Sequence, residues 1–287
     1  MSIRRRRALV PFLLLAPGLL WLAIFYLVPI INQAWVSLMR GTLEQGYVFD
    51  WNWDVYADAF SRYHEQFFRS IGYAATATLL AFIISFPLAY FIAFKAGKWK
   101  NLMLLLIILP FFTSYLVRTV AWQTILSDDG PVVDVLRGVG ILADDGRLLA
   151  TRTAVIAGIT YNFLPFMALP LYVSLEKVDR RLIDAATDLY ASRATAFRKV
   201  TLPLALPGIL AGSLLTFIPA VGDFINAQLL GTSRQFMIGN VIQSKFVVIV
   251  DYPAAAALSF VLMGVLLIIV FAYVRVLGSR GLQEAVA

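Results

Sequence analysis

Asp184-Ala185-Ala186-Thr187-Asp188-Leu189-Tyr190, closed by Val200-Thr201-Leu202-Pro203, stands between two long apolar runs. A chain that only had to reverse direction between two membrane spans could do so in a handful of residues. Residues 176–203 are instead rich in Arg, Lys and Asp, yet carry apolar residues at helical spacing. Ile183, Ala186, Tyr190 and Phe197 fit one face of such a helix. The expected structure is an amphipathic helical segment outside the membrane, shaped to dock on another protein.

The flanking runs decide the class. Of 287 residues, 60% are hydrophobic and 14% charged, against about 45–50% and about 25% in soluble domains. The apolar residues gather in runs near the roughly 20 residues that cross a bilayer. The sequence predicts an all-α integral membrane protein with six transmembrane helices. These are placed near residues 11–36, 67–94, 102–126, 153–175, from Leu204 onward, and 254–276. The first run exceeds the 7–15-residue core of a signal peptide and is expected to stay as an anchor. Between spans, residues 39–66 form a loop whose Trp51, Trp53 and Tyr56 suit the membrane interface. A short helix is expected over residues 131–139, behind Asp128-Asp129-Gly130. Residues 222–253 are semi-apolar and irregular. Within them Phe246-Val247-Val248-Ile249-Val250 is too short to span, so the segment should fold back or re-enter where protein or water satisfies its backbone. No repeat or linker divides the chain. It reads as one domain over 1–287, with a core at 67–276, the polar loop at 176–203, and residues 1–66 as first helix plus loop.

Charge gives the orientation. The net +7 is concentrated at Arg4-Arg5-Arg6-Arg7, at Lys95, Lys98 and Lys100, at Lys177, Arg180, Arg181, Arg193, Arg198 and Lys199, and at Arg275 and Arg280. These alternate with segments carrying Asp50, Asp54, Asp58, Glu65, Asp128, Asp129, Asp144 and Asp145. The alternation follows the positive-inside rule and sets both termini and the 176–203 loop in the cytoplasm. A basic patch for nucleic acid gets no support from this distribution.

Catalytic chemistry is poorly supplied. The absence of cysteine excludes disulfides, thiolate metal sites and iron–sulfur clusters. The single histidine, His64, lies in a polar stretch and cannot build a metal site or proton relay alone. Gly97-Lys98 lacks the upstream glycine of a phosphate-binding loop and runs into Trp99. No catalytic residue, metal or cofactor is expected on this chain, and any ATP would be bound by another subunit. Function points instead to polar groups inside the spans. Arg118 and Asp223 are the charged cases, and such groups face a partner or a water-filled cavity. Ser114 and Trp122 share the face of Arg118 at i−4 and i+4, Tyr115 is close by, and Tyr161 and Asn162 lie in the fourth span. One reading makes Ser114, Tyr115, Arg118, Trp122, Tyr161, Asn162 and Asp223 a translocation pathway. The other makes Arg118–Asp223 an internal ion pair among packed aromatics. Pro87, Pro110, Pro165, Pro170, Pro207 and Pro219 sit in or beside spans, where each removes a helical hydrogen bond.

The 176–203 loop also resembles the signature of permease subunits of binding-protein-dependent ABC importers: E-A-A, three residues, Gly, nine residues, Ile, one residue, Leu-Pro. Asp184, Ala185, Ala186, Tyr190, Val200, Leu202 and Pro203 keep that spacing. Asp for Glu and Val for Ile are mild changes. Tyr190 stands where the family has a glycine that bends the chain between two short helices. A tyrosine there is expected either to take a commoner backbone geometry or to fill part of the partner's cleft. Leu109-Pro110-Phe111-Phe112-Thr113-Ser114-Tyr115-Leu116-Val117-Arg118-Thr119, Leu164-Pro165-Phe166-Met167 and Phe217-Ile218-Pro219-Ala220-Val221-Gly222-Asp223-Phe224 resemble the spermidine/putrescine branch. The resemblance implies a type I importer permease fold in a bacterial inner membrane. It implies as partners a cytoplasmic ATPase dimer carrying ATP and Mg, a second permease that is a related chain, and an extracytoplasmic solute-binding protein. It further implies that the loop forms coupling helices held in the ATPase clefts.

Polyamine is the first substrate choice, since Asp223, Tyr115, Trp122 and Tyr161 offer a carboxylate and aromatic faces for ammonium groups. Against it, Arg118 would repel a cation unless paired. Phosphonates, carboxylates and amino-acid derivatives are the alternatives. A secondary transporter would leave the loop signature unexplained and has only Asp223 as a coupling acid. A membrane enzyme would need clustered acids or histidines that the chain lacks.

Overall fold

The computed structural model describes residues 14–278; Arg4 to Arg7 and Arg280, read above as orientation signals, lie outside them. Five helices among the described residues are long and apolar enough to cross a membrane, and a bent pair makes a sixth if counted as one span. The chain groups into two compact units. One takes the residues up to Arg62 with Ile242–Met263, and the other takes Tyr63–Val241 and the chain from Gly264 on.

In the first unit α1, Leu14–Ser37, leads into a two-stranded antiparallel hairpin, β1 Met39–Thr42 and β2 Gly46–Phe49, with Met39 opposite Phe49. The loop expected over 39–66 is therefore largely ordered as a hairpin and the start of a helix. Its aromatic residues pack in series. Trp35 stacks on Phe49 at 4.0 Å between ring centres, Phe49 meets Trp51 edge-on at 4.9 Å, and Trp53 contacts Tyr56 at 5.9 Å. Arg40 ties the hairpin to Asp50 at 3.1 Å and Asp54 at 3.6 Å. Phe246 to Ile249 are exposed.

The second span is longer than its apolar run. Helix α2 covers Asp54–Phe94 and leaves helical geometry once, at Tyr63 (φ −119°, ψ 17°). The third predicted span is broken. Helix α3, Gly97–Phe112, and helix α4, Tyr115–Ile125, meet at 96°. Pro110 lies in a 3₁₀ turn just before the break, and Thr113 and Ser114 are extended at ψ 149° and 143°. Ser114 is thus the N-cap of α4 rather than part of it, its carbonyl accepting the Arg118 N–H at 3.1 Å. Helix α5, Pro131–Gly138, occupies the predicted stretch. Helix α6, Arg152–Glu176, starts from Thr151, whose hydroxyl oxygen accepts the Ala154 N–H at 3.2 Å. After α7, Arg180–Asp188, helix α8 runs unbroken from Arg193 to Val221, about three turns earlier than its apolar run begins.

The core of this unit lies between α2, α6 and the start of α8. Phe86, Ala89 and Ile92 pack with Met167, Leu171, Leu175 and Ala205. Helix α8 closes on α6 through glycines. A Cβ on Gly208 would meet Ser174 Cβ at 2.4 Å and the Pro170 carbonyl at 2.6 Å, and one on Gly212 would meet Met167 Sδ at 2.9 Å. This is small-residue packing at i and i+4, which lets helices approach where no hydrophobic effect drives them together. At its last residue α6 is also tied to α3, where Lys100 bonds to Glu176.

The irregular segment after α8 is held by side chains. It contains two short helices, α9 Ile225–Leu230 and α10 Ile238–Gln243. Asn240 accepts the Met237 N–H at 2.9 Å and donates to the Phe224 carbonyl at 2.8 Å; Ser70 accepts the Ile238 N–H at 2.8 Å, and Arg69 donates to the Phe236 carbonyl at 3.0 Å. Those bonds are what non-helical backbone needs at membrane depth. The chain ends its described part with α11, Tyr252–Val276.

Candidate functional site

Two regions of the larger unit carry the residues singled out in the sequence. The first is the polar loop. Asp179 starts α7 by accepting the Arg181 N–H at 2.9 Å. Arg180 then donates to the Ala93 and Phe94 carbonyls at 3.2 and 3.0 Å, at the carbonyl end of α2, where a cation is favoured. Helix α7 closes at Asp188 with a tight reversal: Ala191 N–H bonds to the Ala186 carbonyl and Tyr190 N–H to the Thr187 carbonyl, each at 3.0 Å. These two bonds define the helix-ending turn whose pivotal residue takes the left-handed conformation. That residue is Tyr190, at φ 61°.

Of the two outcomes expected for Tyr190, the commoner backbone geometry is not the one it takes. It keeps the conformation that glycine accepts without cost, and its side chain is wholly exposed. Leu189 beside it is 81% exposed. The single amphipathic face expected through Ile183, Ala186, Tyr190 and Phe197 is split by this turn. Ile183 and Ala186 are half-buried on α7, whereas Phe197 lies on α8 and packs edge-on against Phe86 and Tyr90 of α2 at 5.7 and 6.0 Å. Asp184 and Ala185 face out, and Val200, Leu202 and Pro203 are half-buried along the start of α8. The loop is a helix–turn–helix braced at both ends, with an apolar pair projecting from its tip.

The second region is a buried polar cluster where α4, α6 and α9 meet. Asp223, 7% exposed, accepts Tyr115 OH at 2.6 Å on Oδ2 and the Asn226 N–H at 3.1 Å on Oδ1. The Asn226 amide donates to the same carboxylate and to Tyr115 Oη at 2.6 Å. Asn162 donates to Thr119 Oγ1 and Asn226 Oδ1, both at 3.2 Å. Gly158 leaves room for this: a Cβ there would stand 2.6 Å from Asn226 Oδ1. Asn226 and Thr119, both fully buried, were not singled out in the sequence. The usable signal was Asp223 three residues ahead of Asn226, the spacing by which an aspartate caps the first turn of a helix.

Arg118 is also buried, but the ion pair with Asp223 is not formed. Its guanidinium lies over the rings of Phe111 at 4.8 Å and Tyr115 at 5.6 Å, and Nε and Nη1 have no hydrogen-bond partner. Trp122 packs on Tyr161 at 5.3 Å, and Ser114 is exposed at the break between α3 and α4. Tyr115, Asn162 and Asp223 are thus drawn together, while Ser114, Arg118 and the Trp122–Tyr161 pair surround them without joining their hydrogen bonds.

The chain resembles known membrane permeases over most of its length. The chain is 36% identical over 256 residues to the spermidine/putrescine transport system permease protein PotB of Haemophilus influenzae, covering 89% of this chain and 90% of that one. It is 38% identical over 221 residues to PotB of Escherichia coli K12, covering 76% and 80%, and 36% identical to the inner membrane ABC transporter permease protein YdcU of the same organism, covering 74% and 71%. Among solved structures, a bacterial ABC transporter involved in import of alginate shares the fold with a TM-score of 0.70 at 21% identity, covering 94% of this chain and 96% of that one. The family of binding-protein-dependent transport system inner membrane components matches residues 8–281, and the chain belongs to it.

Proposed function

We propose that this permease forms half of the translocation pathway of an ATP-driven type I importer for polyamines, in a bacterial inner membrane. Its termini and the α7–α8 loop face the cytoplasm, as the lysine- and arginine-rich segments favour. Two cytoplasmic ATPases bind ATP and Mg, and a related second permease completes the pore. An extracytoplasmic binding protein delivers the solute, and one neighbour in fold is an alginate transporter described in complex with its substrate-bound periplasmic protein.

The observation that carries the coupling half of this reading is the exposed tip at Leu189 and Tyr190 on a braced helix–turn–helix. Exposed apolar side chains on a rigid mount suit insertion into a partner's cleft. Closing of the ATPase pair would then move α7 and, through the continuous helix α8, the region around Asp223. Asp184, Ala185, Ala186, Tyr190, Val200, Leu202 and Pro203 belong to this coupling element. For the solute, the support is likeness to spermidine/putrescine permeases together with Asp223, a carboxylate held by neutral donors and without a cationic partner among the described residues. Tyr115, Trp122 and Tyr161 supply aromatic faces nearby, Asn162 holds Asn226 in place, and Ser114 lies at the mouth of the break. Arg118 fits a polycation path poorly, and its surroundings suggest another role.

The test is uptake of labelled spermidine and putrescine by cells carrying the importer genes, with and without this chain. Asp223→Asn keeps one acceptor oxygen, enough for Tyr115 OH and the Asn226 side chain but not for the Asn226 N–H, and removes the charge; it should abolish uptake while the protein still assembles with its ATPase. Polyamine uptake that persists in Asp223→Asn would sink the assignment of the carboxylate. Uptake of another solute in place of polyamine would move the importer to a different substrate class.

A further inference from the structure

The Arg118 guanidinium is incompletely satisfied among the described residues. It is 9% exposed, and neither Nε nor Nη1 meets an acceptor among the described residues. Guanidinium stays charged in proteins and offers five donors. Burying such a cation unpaired at membrane depth is far costlier than pairing it. The two aromatic rings beneath it satisfy part of its charge but leave the Nε and Nη1 hydrogens without an acceptor. An acceptor from outside the chain is therefore expected.

The surroundings restrict what that acceptor is. Arg118 and Tyr161 border a cavity of about 320 Å³ whose walls are otherwise apolar, among them Leu88, Met103, Leu106, Ile107 and Leu164. Met103, Leu106, Ile107 and Pro110 follow one another at helical spacing on α3, a stripe about 10 Å long. Arg118 sits at the Pro110 end, over Phe111, and Leu106 is 56% exposed, so the stripe opens outward. From Gly97 to Phe112 the chain rises about 24 Å, most of the roughly 30 Å hydrocarbon core. The guanidinium thus lies toward one membrane face, with the apolar stripe leading from it toward the interior.

We propose that this cavity binds an anionic phospholipid, its phosphate accepting hydrogen bonds from Arg118 and one acyl chain lying along Met103 to Pro110. A carboxylate of a second permease would match the charge alone, whereas a phospholipid matches the charge and the apolar stripe with one molecule. A polyamine carries the wrong sign.

The experiment is native mass spectrometry of the protein, purified with its accompanying subunits, after exchange into mixed vesicles of phosphatidylcholine and phosphatidylglycerol. Wild type should retain phosphatidylglycerol in preference to phosphatidylcholine. Arg118→Gln should weaken that retention by roughly tenfold, the scale of a lost charge-assisted hydrogen bond. Leu106→Trp, which fills the groove and leaves the charge, should weaken it too, and this variant decides the matter if Arg118→Gln does not fold. Equal retention of both lipids by wild type, or undiminished retention by Leu106→Trp, overturns the proposal. So does a structure of the assembled complex in which a carboxylate of the second permease holds Arg118.

Discussion

Asp223 and Tyr190 both look out of place in an apolar chain, and the fold treats them in opposite ways. Asp223 is buried and surrounded by donors from α4 and α9. Tyr190 is fully exposed, donates only its backbone N–H to the end of α7, and sits at a φ that suits glycine better. The first arrangement is over-determined, since several hydrogen bonds agree on one geometry and removing the carboxylate orphans all of them. The second is local and mildly strained, and nothing else in the unit depends on the tyrosine ring. A buried polar network fixes structure, whereas an exposed tip is free to be shaped by whatever it meets.

The sharpest way to break this contrast is Asp223→Ala. It leaves Tyr115 OH and the Asn226 amide without their acceptor in a buried site, and the expected loss is about 3 kcal/mol or more of stability. Thermal unfolding in detergent, followed by Trp fluorescence, measures it. An unchanged midpoint would mean that water or a partner replaces the carboxylate, and that the cluster does not hold α4 and α9 together.

Between the two regions runs α8, and Gly208 tests whether it acts as a rigid link. A side chain at Gly208 meets backbone of α6 rather than a movable side-chain tip, at 2.6 Å from the Pro170 carbonyl. Gly208→Leu should force the helices apart and cost about 1–3 kcal/mol. It should also lower solute-stimulated ATP hydrolysis while the loop still docks, because the loop itself is untouched. ATPase co-purification together with unaltered stimulation would show that α8 does not carry the motion.

How much of this was readable in the sequence differs between the same two regions. The apolar runs and the loop spacing around Asp184 to Pro203 were legible because period and composition report them directly. Asp223 and Tyr115 were legible as polar groups in apolar company. The 96° break between Phe112 and Tyr115 was not, since the residues on either side favour helix equally and Pro110 alone fixes neither the size nor the direction of the bend. Arg118 and Asp223 looked like a pair because opposite charges in one membrane suggest it; Tyr115 and Asn226, which are neutral, occupy the carboxylate instead. The extended face through Phe197 failed because helical periodicity assumes an unbroken helix, and the chain reverses at Leu189 and Tyr190.

The smallest effect is expected at Tyr190, and it separates backbone strain from the role of the ring. A non-glycine residue held in the left-handed region costs about 1–2 kcal/mol, so Tyr190→Gly should stabilise the end of α7 by about 1 kcal/mol once the greater freedom of glycine in the unfolded chain is deducted. Global stability should scarcely change, because the turn opens locally and without the core. Hydrogen exchange of the Ala191 amide, which bonds to the Ala186 carbonyl at 3.0 Å, reads this directly and should slow by roughly fivefold. Tyr190→Ala keeps a Cβ and hence the strain, so it should not slow exchange. If Tyr190→Gly slows exchange yet reduces solute-stimulated ATP hydrolysis, the ring is a docking contact in its own right. If hydrolysis is unaffected, the tyrosine merely tolerates a position built for glycine, and Leu189 is left as the apolar anchor at the tip.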